Sequence, residues 1–199
     1  MRHKKGTGNS MEIKRNKGDE ENKSMVRELV ELLIYMGVVL ALAGLIVTFV
    51  GQRTMVSGSS MESTLSDKDN LIVDKITYRF SNPKRFDIIV FPFQYQKDTY
   101  YIKRIIGLPG ETVQIIDGDI LINGEVLEET YGRERIESSG RASEPIILGD
   151  DEYFVMGDNR NASADSREPD VGNIKREDII GRAWVRIWPL NKFGVLKHQ

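Results

Sequence analysis

Apolar positions fall into two regimes along the chain. Residues 1–24 are polar and charged, with no apolar period, and predict a disordered tail. From Leu32 to Gly51 the run LLIYMGVVLALAGLIVTFVG is almost unbroken, with Tyr35 and Thr48 its polar groups. At helical rise it spans roughly 30 Å, the thickness of a bilayer's hydrocarbon core. The pattern predicts a cytoplasmic polar tail over 1–28, a single transmembrane anchor over 29–51 and an extracytoplasmic domain over 52–199. Ala41-Leu42-Ala43 before Gly44 has the form of a leader cleavage site. The apolar run continues through Val50, longer than a leader core requires, so a retained anchor is expected. Arg2, Lys4, Lys5, Lys14, Arg15, Lys17, Lys23 and Arg27 precede the run, against Arg53 and Lys68 just after it. This bias places the amino end in the cytoplasm and 52–199 outside.

Beyond the anchor the period changes. Short apolar runs alternate with turn signals, and no long 3.6-residue pattern recurs. Strands are expected over 70–75, 87–91, 99–106, 112–116, 119–122, 152–156 and 181–187. Asp117-Gly118 and Asn123-Gly124 are strong hairpin signals. Ala183, Val185 and Ile187 alternate with Trp184, Arg186 and Trp188, a period of two. Pro83, Pro92, Pro109 and Pro189 sit at run ends, where they harm a ladder least. Residues 128–143 read as a charged surface insertion loop. The expectation is a mainly β domain with one core.

Composition narrows the chemistry. The chain of 199 residues allows one domain and an appendage. A net charge of -2 without a basic face argues against a nucleic-acid partner. There is no cysteine, which removes disulfides, thiolate catalysis and cysteine-ligated zinc. His3 and His198 are the only histidines and lie at the two ends, which argues against a histidine metal site or a Ser-His-Asp triad. Hydrolysis here would need another base.

Three stretches carry candidate chemistry. Ser57-Gly58-Ser59-Ser60-Met61-Glu62-Ser63-Thr64-Leu65 is small and hydroxyl-rich. It reads either as a linker or as the approach to a nucleophile, Ser60. Lys103 and Arg104 interrupt an apolar strand and occupy opposite faces, so one of them points towards whatever that strand covers. Lysine as a base is demanding: near its ordinary pKa about one amine in a few thousand is neutral at pH 7. Bringing the pKa near 7 disfavours the ammonium by about 4 kcal/mol, which burial beside Tyr101, Ile102 and Ile105 would supply. Nearby carboxylates would oppose it and must be engaged elsewhere. The third stretch, 157–167, is dense in turn formers and alternating charge. It reads as a solvated loop or as a buried network of Asp158, Arg160, Asp165 and Arg167, with Ser163 able to hydrogen-bond the lysine amine.

With these motifs the chain resembles bacterial type I signal peptidases, membrane-anchored Ser/Lys endopeptidases that remove secretory signal peptides. Ser60-Met61-x-x-Thr64-Leu65 looks like the nucleophile box, and Phe86-Asp87-Ile88-Ile89-Val90-Phe91 is similar to the strand that follows it. Tyr101-Ile102-Lys103-Arg104-Ile105-Ile106-Gly107-Leu108-Pro109-Gly110 looks like the general-base box. Gly157-Asp158-Asn159-Arg160, with Ser163, Asp165, Ser166 and Arg167, looks like the last signature. The resemblance implies a mainly β peptidase core on the plasma membrane, with Ser60 as nucleophile and Lys103 as general base. It further implies that Ser163 orients the lysine, that Asp165 and Arg167 support the site, and that the Ser60 N–H helps form the oxyanion hole. Val56, Met61, Leu65, Tyr101 and Ile102 are the candidate walls of shallow substrate pockets. No cofactor or metal is implied. The expected partners are secretory precursors and the lipid bilayer, and the expected state is a monomer. Two positions depart from forms common in the family. Ser63 stands where proline is frequent, and Gly58 where some members carry a serine that helps hold the oxyanion. A catalytically silent paralogue that scaffolds exported precursors is the alternative. An acyl-serine enzyme of the penicillin-binding type is disfavoured: Ser81-x-x-Lys84 is present, but no K-T-G or S-D-N accompanies it.

Overall fold

The computed structural model describes residues 25–44, 51–132 and 134–197. The chain divides into two units, Met1–Val47 and Thr48–Gln199. In the first, residues 25–44 form a helix, α1, whose described side chains are exposed, including Leu32, Leu33, Ile34 and Leu40. Arg27 and Glu31 pair one turn apart on it at 2.9 Å. No helix among the described residues is long and apolar enough to cross a membrane. The tail over 1–24 and the second part of the expected span, 45–50, lie outside the described residues.

The second unit is mainly β, as its alternating short runs predict. Its strands are β1 (Gly51–Met55), β2 (Asn70–Asp74), β3 (Ile88–Pro92), β4 (Tyr100–Gly107), β5 (Thr112–Ile116), β6 (Asp119–Ile122), β7 (Glu125–Val126), β8 (Ile146–Ile147), β9 (Glu152–Met156), β10 (Ile174–Lys175), β11 (Gly181–Trp188) and β12 (Gly194–Val195). A short helix, α2 (Thr77–Phe80), follows β2. The larger sheet runs β1-β2-β11-β3-β4-β9-β10, with β12 on β11, and the smaller runs β7-β6-β5-β8. Every described strand pair is antiparallel.

Both hairpin signals are used. Asp117-Gly118 and Asn123-Gly124 have positive φ at each position and join β5 to β6 and β6 to β7. That conformation matches the right-handed twist of the flanking strands and favours Asn, Asp and Gly. The predicted strands all form, with ends shifted by at most one residue. Gly51, taken as the end of the apolar run, is the first residue of β1, its Cα opposite Asp74. The simple alternation expected in β11 holds only at its start, where Ala183 is buried and Trp184 exposed. Register shifts after Ala183 and Arg186 then break the period.

Apolar burial falls into three clusters. Ile106, Val113, Ile115, Leu148, Phe154 and Met156 lie between the small sheet and β4–β9. Ile89, Phe91, Ile105, Tyr153 and Val155 form a second cluster. Val56, Met61, Leu65, Leu71, Ile88 and Ala183 form a third. The 128–143 segment is a surface loop only in part. Many of its side chains are exposed, but Ile136 and Ala142 belong to the first cluster. Gly140, at φ 51°, allows the backbone to press against the Arg167 carbonyl.

Candidate active site

Ser60 lies in a turn held from several sides. Val56 bonds across to Asp69 and Lys68, closing the loop that carries it. Gly58, at φ 95°, donates its N–H to Asp67 Oδ1 at 2.9 Å. A side chain is disfavoured in that conformation, so glycine here follows from the local backbone. Met61 and Leu65 are one helical turn apart, joined by the Leu65 N–H to Met61 carbonyl bond, and both anchor the turn in the core. From the other side Asn159 donates its backbone N–H to the Ser60 carbonyl and its side-chain amide to the Ser59 carbonyl, at 3.1 and 3.2 Å. This approach is close. A Cβ on Gly157 would run into the Ser60 carbonyl and the Ser163 side chain.

β4 supplies the second group. Lys103 and Arg104, on opposite faces, are 4% and 0% exposed. The Lys103 Nζ lies 2.7 Å from Ser60 Oγ and 5.0 Å from the centre of the Tyr101 ring. Burial lowers the lysine pKa from 10.5 to about 8, against the opposing pull of the Asp165 and Asp158 carboxylates. Both carboxylates are committed elsewhere. Asp158 receives the Arg104 Nε and Nη2 at 2.8 and 2.7 Å, both side chains fully buried. Asp165 receives the Arg167 N–H, Nε and Nη2, and its second oxygen also receives the Gly157 N–H at 3.0 Å. Arg104 in turn reaches the Phe86 carbonyl and Thr64 Oγ, tying β4 to the turn that carries Ser60.

A cleft of about 580 Å³ opens over this pair. Its walls are residues 54–61 on one side and 98–103 on the other, with Ala162 and Ala164. Both walls present strand edges. β1 ends its sheet. β9 pairs with β4 only from Arg104 onward, while β3 covers the opposite edge from Tyr100 to Arg104. The edge of residues 100–103 on the β9 side therefore carries no strand among the described residues. Among those residues, no group of three or more His, Cys, Asp or Glu side chains is placed to hold a metal ion.

Residues 29–188 match the signal peptidase family, peptidase S26. The chain belongs to this family. It is similar to a signal peptidase I of Leptolyngbya laminosa, 46% identical, covering 82% of this chain and 80% of the relative. It is also similar to a probable signal peptidase I-2 of Synechocystis, 42% identical over 75% and 68% of the two chains. A signal peptidase I P of Bacillus subtilis subsp. natto is 32% identical over 87% and 95%. A crystal structure of a signal peptidase I from Enterococcus faecalis aligns with a TM-score of 0.43 at 35% identity, covering 51% of this chain and 97% of the other.

The structure brings Ser60 and Lys103 together, with Val56, Met61, Tyr101 and Ile102 on the cleft wall. Asp165 and Arg167 pair directly behind them. Leu65 is corrected: it is 0% exposed and packs with Leu71 and Ile88, because the helical turn from Met61 aims it at the core. Ser163 differs as well. Its Oγ is buried and makes no hydrogen bond, so the expected bond to the lysine amine is not formed in this structure. Sequence reasoning also missed Asn159, which grips the turn carrying Ser60. Its position inside the third motif was the available signal, but nothing there revealed its partners.

Proposed function

We propose that the protein is a signal peptidase I, a serine endopeptidase that removes signal peptides from secreted precursors. The observation that carries this reading is the 2.7 Å contact between Ser60 Oγ and a buried Lys103 Nζ whose ammonium is disfavoured. Neutral Lys103 takes the Ser60 proton as Oγ attacks the scissile carbonyl. The Ser60 N–H faces the oxyanion. As the tetrahedral intermediate collapses, the peptide C–N bond breaks and the lysine returns the proton to the leaving amine. Water, deprotonated by the same lysine, then attacks the acyl ester and restores Ser60. Asp165, Arg167 and the Arg104–Asp158 pair hold the surroundings rigid. Ser163, whose buried Oγ makes no hydrogen bond, is left able to orient the lysine amine.

The substrate is an extended small-x-small segment. It enters the cleft by β-addition to the open edges of β1 and residues 100–103, where main-chain bonds give affinity and shallow pockets restrict side chains. The apolar run after residue 32 anchors the enzyme in the plasma membrane, amino end in the cytoplasm, and so raises the effective concentration of membrane-held precursors. The chain works as a monomer. A silent scaffold would have no use for a buried, destabilised lysine against a serine hydroxyl. The test is cleavage of a secretory precursor by the full chain, compared with Ser60→Ala and Lys103→Ala. Wild-type cleavage lost in both variants is expected. No wild-type cleavage, or full activity in either variant, would overturn the reading.

A further inference from the structure

The 128–143 loop makes two contacts that a surface insertion would not need. The Tyr131 ring covers the Arg104 guanidinium, with its centre 3.5 Å from Cζ, and packs at 5.3 Å against Phe86. Two residues earlier, Glu129 forms a bidentate ion pair with Arg160, whose side chain is almost fully buried. Both arginines belong to the back of the active site. Arg104 holds Asp158 and Thr64. Arg160 donates Nε to the Gly157 carbonyl at 3.0 Å, and its own carbonyl receives Arg167 Nη2.

We propose that residues 129–131 form a strap closing the back of the active site, with Tyr131 and Glu129 as positioning residues that act on the Ser60–Lys103 pair through Arg104 and Arg160. The inference rests on the peptidase reading and deepens it. The groups around Lys103 are Ser60 Oγ from the nucleophile turn, Tyr101 from its own strand, and Asp158 and Asp165 from the third motif. Arg104 and Arg167 neutralise the two carboxylates. An aromatic face over Arg104 excludes water from one side of the Arg104–Asp158 pair and adds cation–π attraction. Without it, the guanidinium hydrates and its grip on Asp158 loosens. The freed negative charge then favours the Lys103 ammonium, as does the entering water. Both effects act in one direction, so the loop sets how much neutral base the enzyme holds.

The experiment uses the full chain in mild detergent, with 13C-lysine labelling and Lys103→Ala to assign the signal. Lys103 is titrated by NMR, and precursor cleavage is followed against pH, in wild type, Tyr131→Phe, Tyr131→Ala and Glu129→Gln. Tyr131→Phe should keep the wild-type midpoint, because the ring remains. Tyr131→Ala should raise it by about one pH unit, leaving about a tenth of the neutral amine at pH 7 and lowering cleavage there in proportion. Glu129→Gln leaves the Arg160 cation uncompensated instead and should lower the midpoint, by less. A wild-type midpoint in Tyr131→Ala overturns the strap, even if that variant is less stable. If Tyr131→Ala does not fold, a wild-type midpoint in Glu129→Gln overturns it. A midpoint that moves in a protein that cleaves no precursor upholds the strap and refutes the peptidase.

Discussion

Replacing Lys103 with methionine should abolish cleavage and stabilise the protein at neutral pH. The side chains are similar in reach, and methionine suits an irregular, largely apolar setting. The lysine pKa of about 8 in the folded chain lies below the 10.5 of an unburied amine. Below pH 8 the amine is protonated in both states, and the folded state bears the full cost of holding an ammonium out of water. Between pH 8 and 10.5 the unfolded chain binds more protons than the folded one, so stability rises with pH. Above 10.5 both are neutral and the cost disappears. The difference corresponds to about 3 kcal/mol at pH 7. Losing the contact to Ser60 Oγ offsets about 1 kcal/mol of this. The variant should therefore gain about 2 kcal/mol at pH 7, or about 4–8 °C in melting temperature for a chain of this size. The gain should decline through the pH 8–10.5 window and reverse above it, where only the lost contact of about 1 kcal/mol remains. Thermal or urea unfolding of both proteins at several pH values measures this directly. A variant no more stable than wild type at pH 7, or a gain unchanged across the window, would refute the claim that burial tunes Lys103.

Gly157→Ala should leave the fold intact but lower kcat by about a hundredfold, since its Cβ must displace the Ser60 carbonyl and misalign the nucleophile; single-turnover cleavage reads this. Leu65→Ala should cost about 2–5 kcal/mol in unfolding free energy without changing cleavage-site preference, because Leu65 is core and not pocket wall. Ser163→Ala should hardly change stability, as its Oγ has no partner to lose, while reducing kcat; equal activity to wild type would remove Ser163 from the mechanism.

Pairing in the domain was legible where the signal was local. The two turn dipeptides announced their hairpins through the positive φ they tolerate, and the runs that became β4 and β9 were apolar enough to stand out. β1 was hidden: GQRTM has no apolar alternation, and its strand character comes from pairing with β2. The same limit applied at the site. Absent cysteine and histidines confined to the two ends, with a lysine inside an apolar run, pointed to Lys103. Whether Ser163 or Leu65 faces the cleft depends on turns set by distant partners. The 128–143 segment misled for the opposite reason. Its charges suggested solvent, yet Glu129 is paired with a buried arginine and Tyr131 covers another.

These contacts explain how one site lowers the lysine pKa beside two carboxylates. Asp158 and Asp165 both favour the Lys103 ammonium, yet burial prevails. It can do so because each carboxylate is already matched by an arginine and hydrogen-bonded in fixed geometry. Strand alternation makes this possible on adjacent residues: β4 turns Lys103 towards the cleft and Arg104 towards the interior. Breaking a buried pair by removing one partner costs about 3–5 kcal/mol, so the network resists loss of either arginine. The turn carrying Ser60 is fastened to the same frame through Thr64 and the Asn159 bonds. Positioning of Ser60 and tuning of Lys103 are thus coupled, and a change at Arg104 should disturb both together.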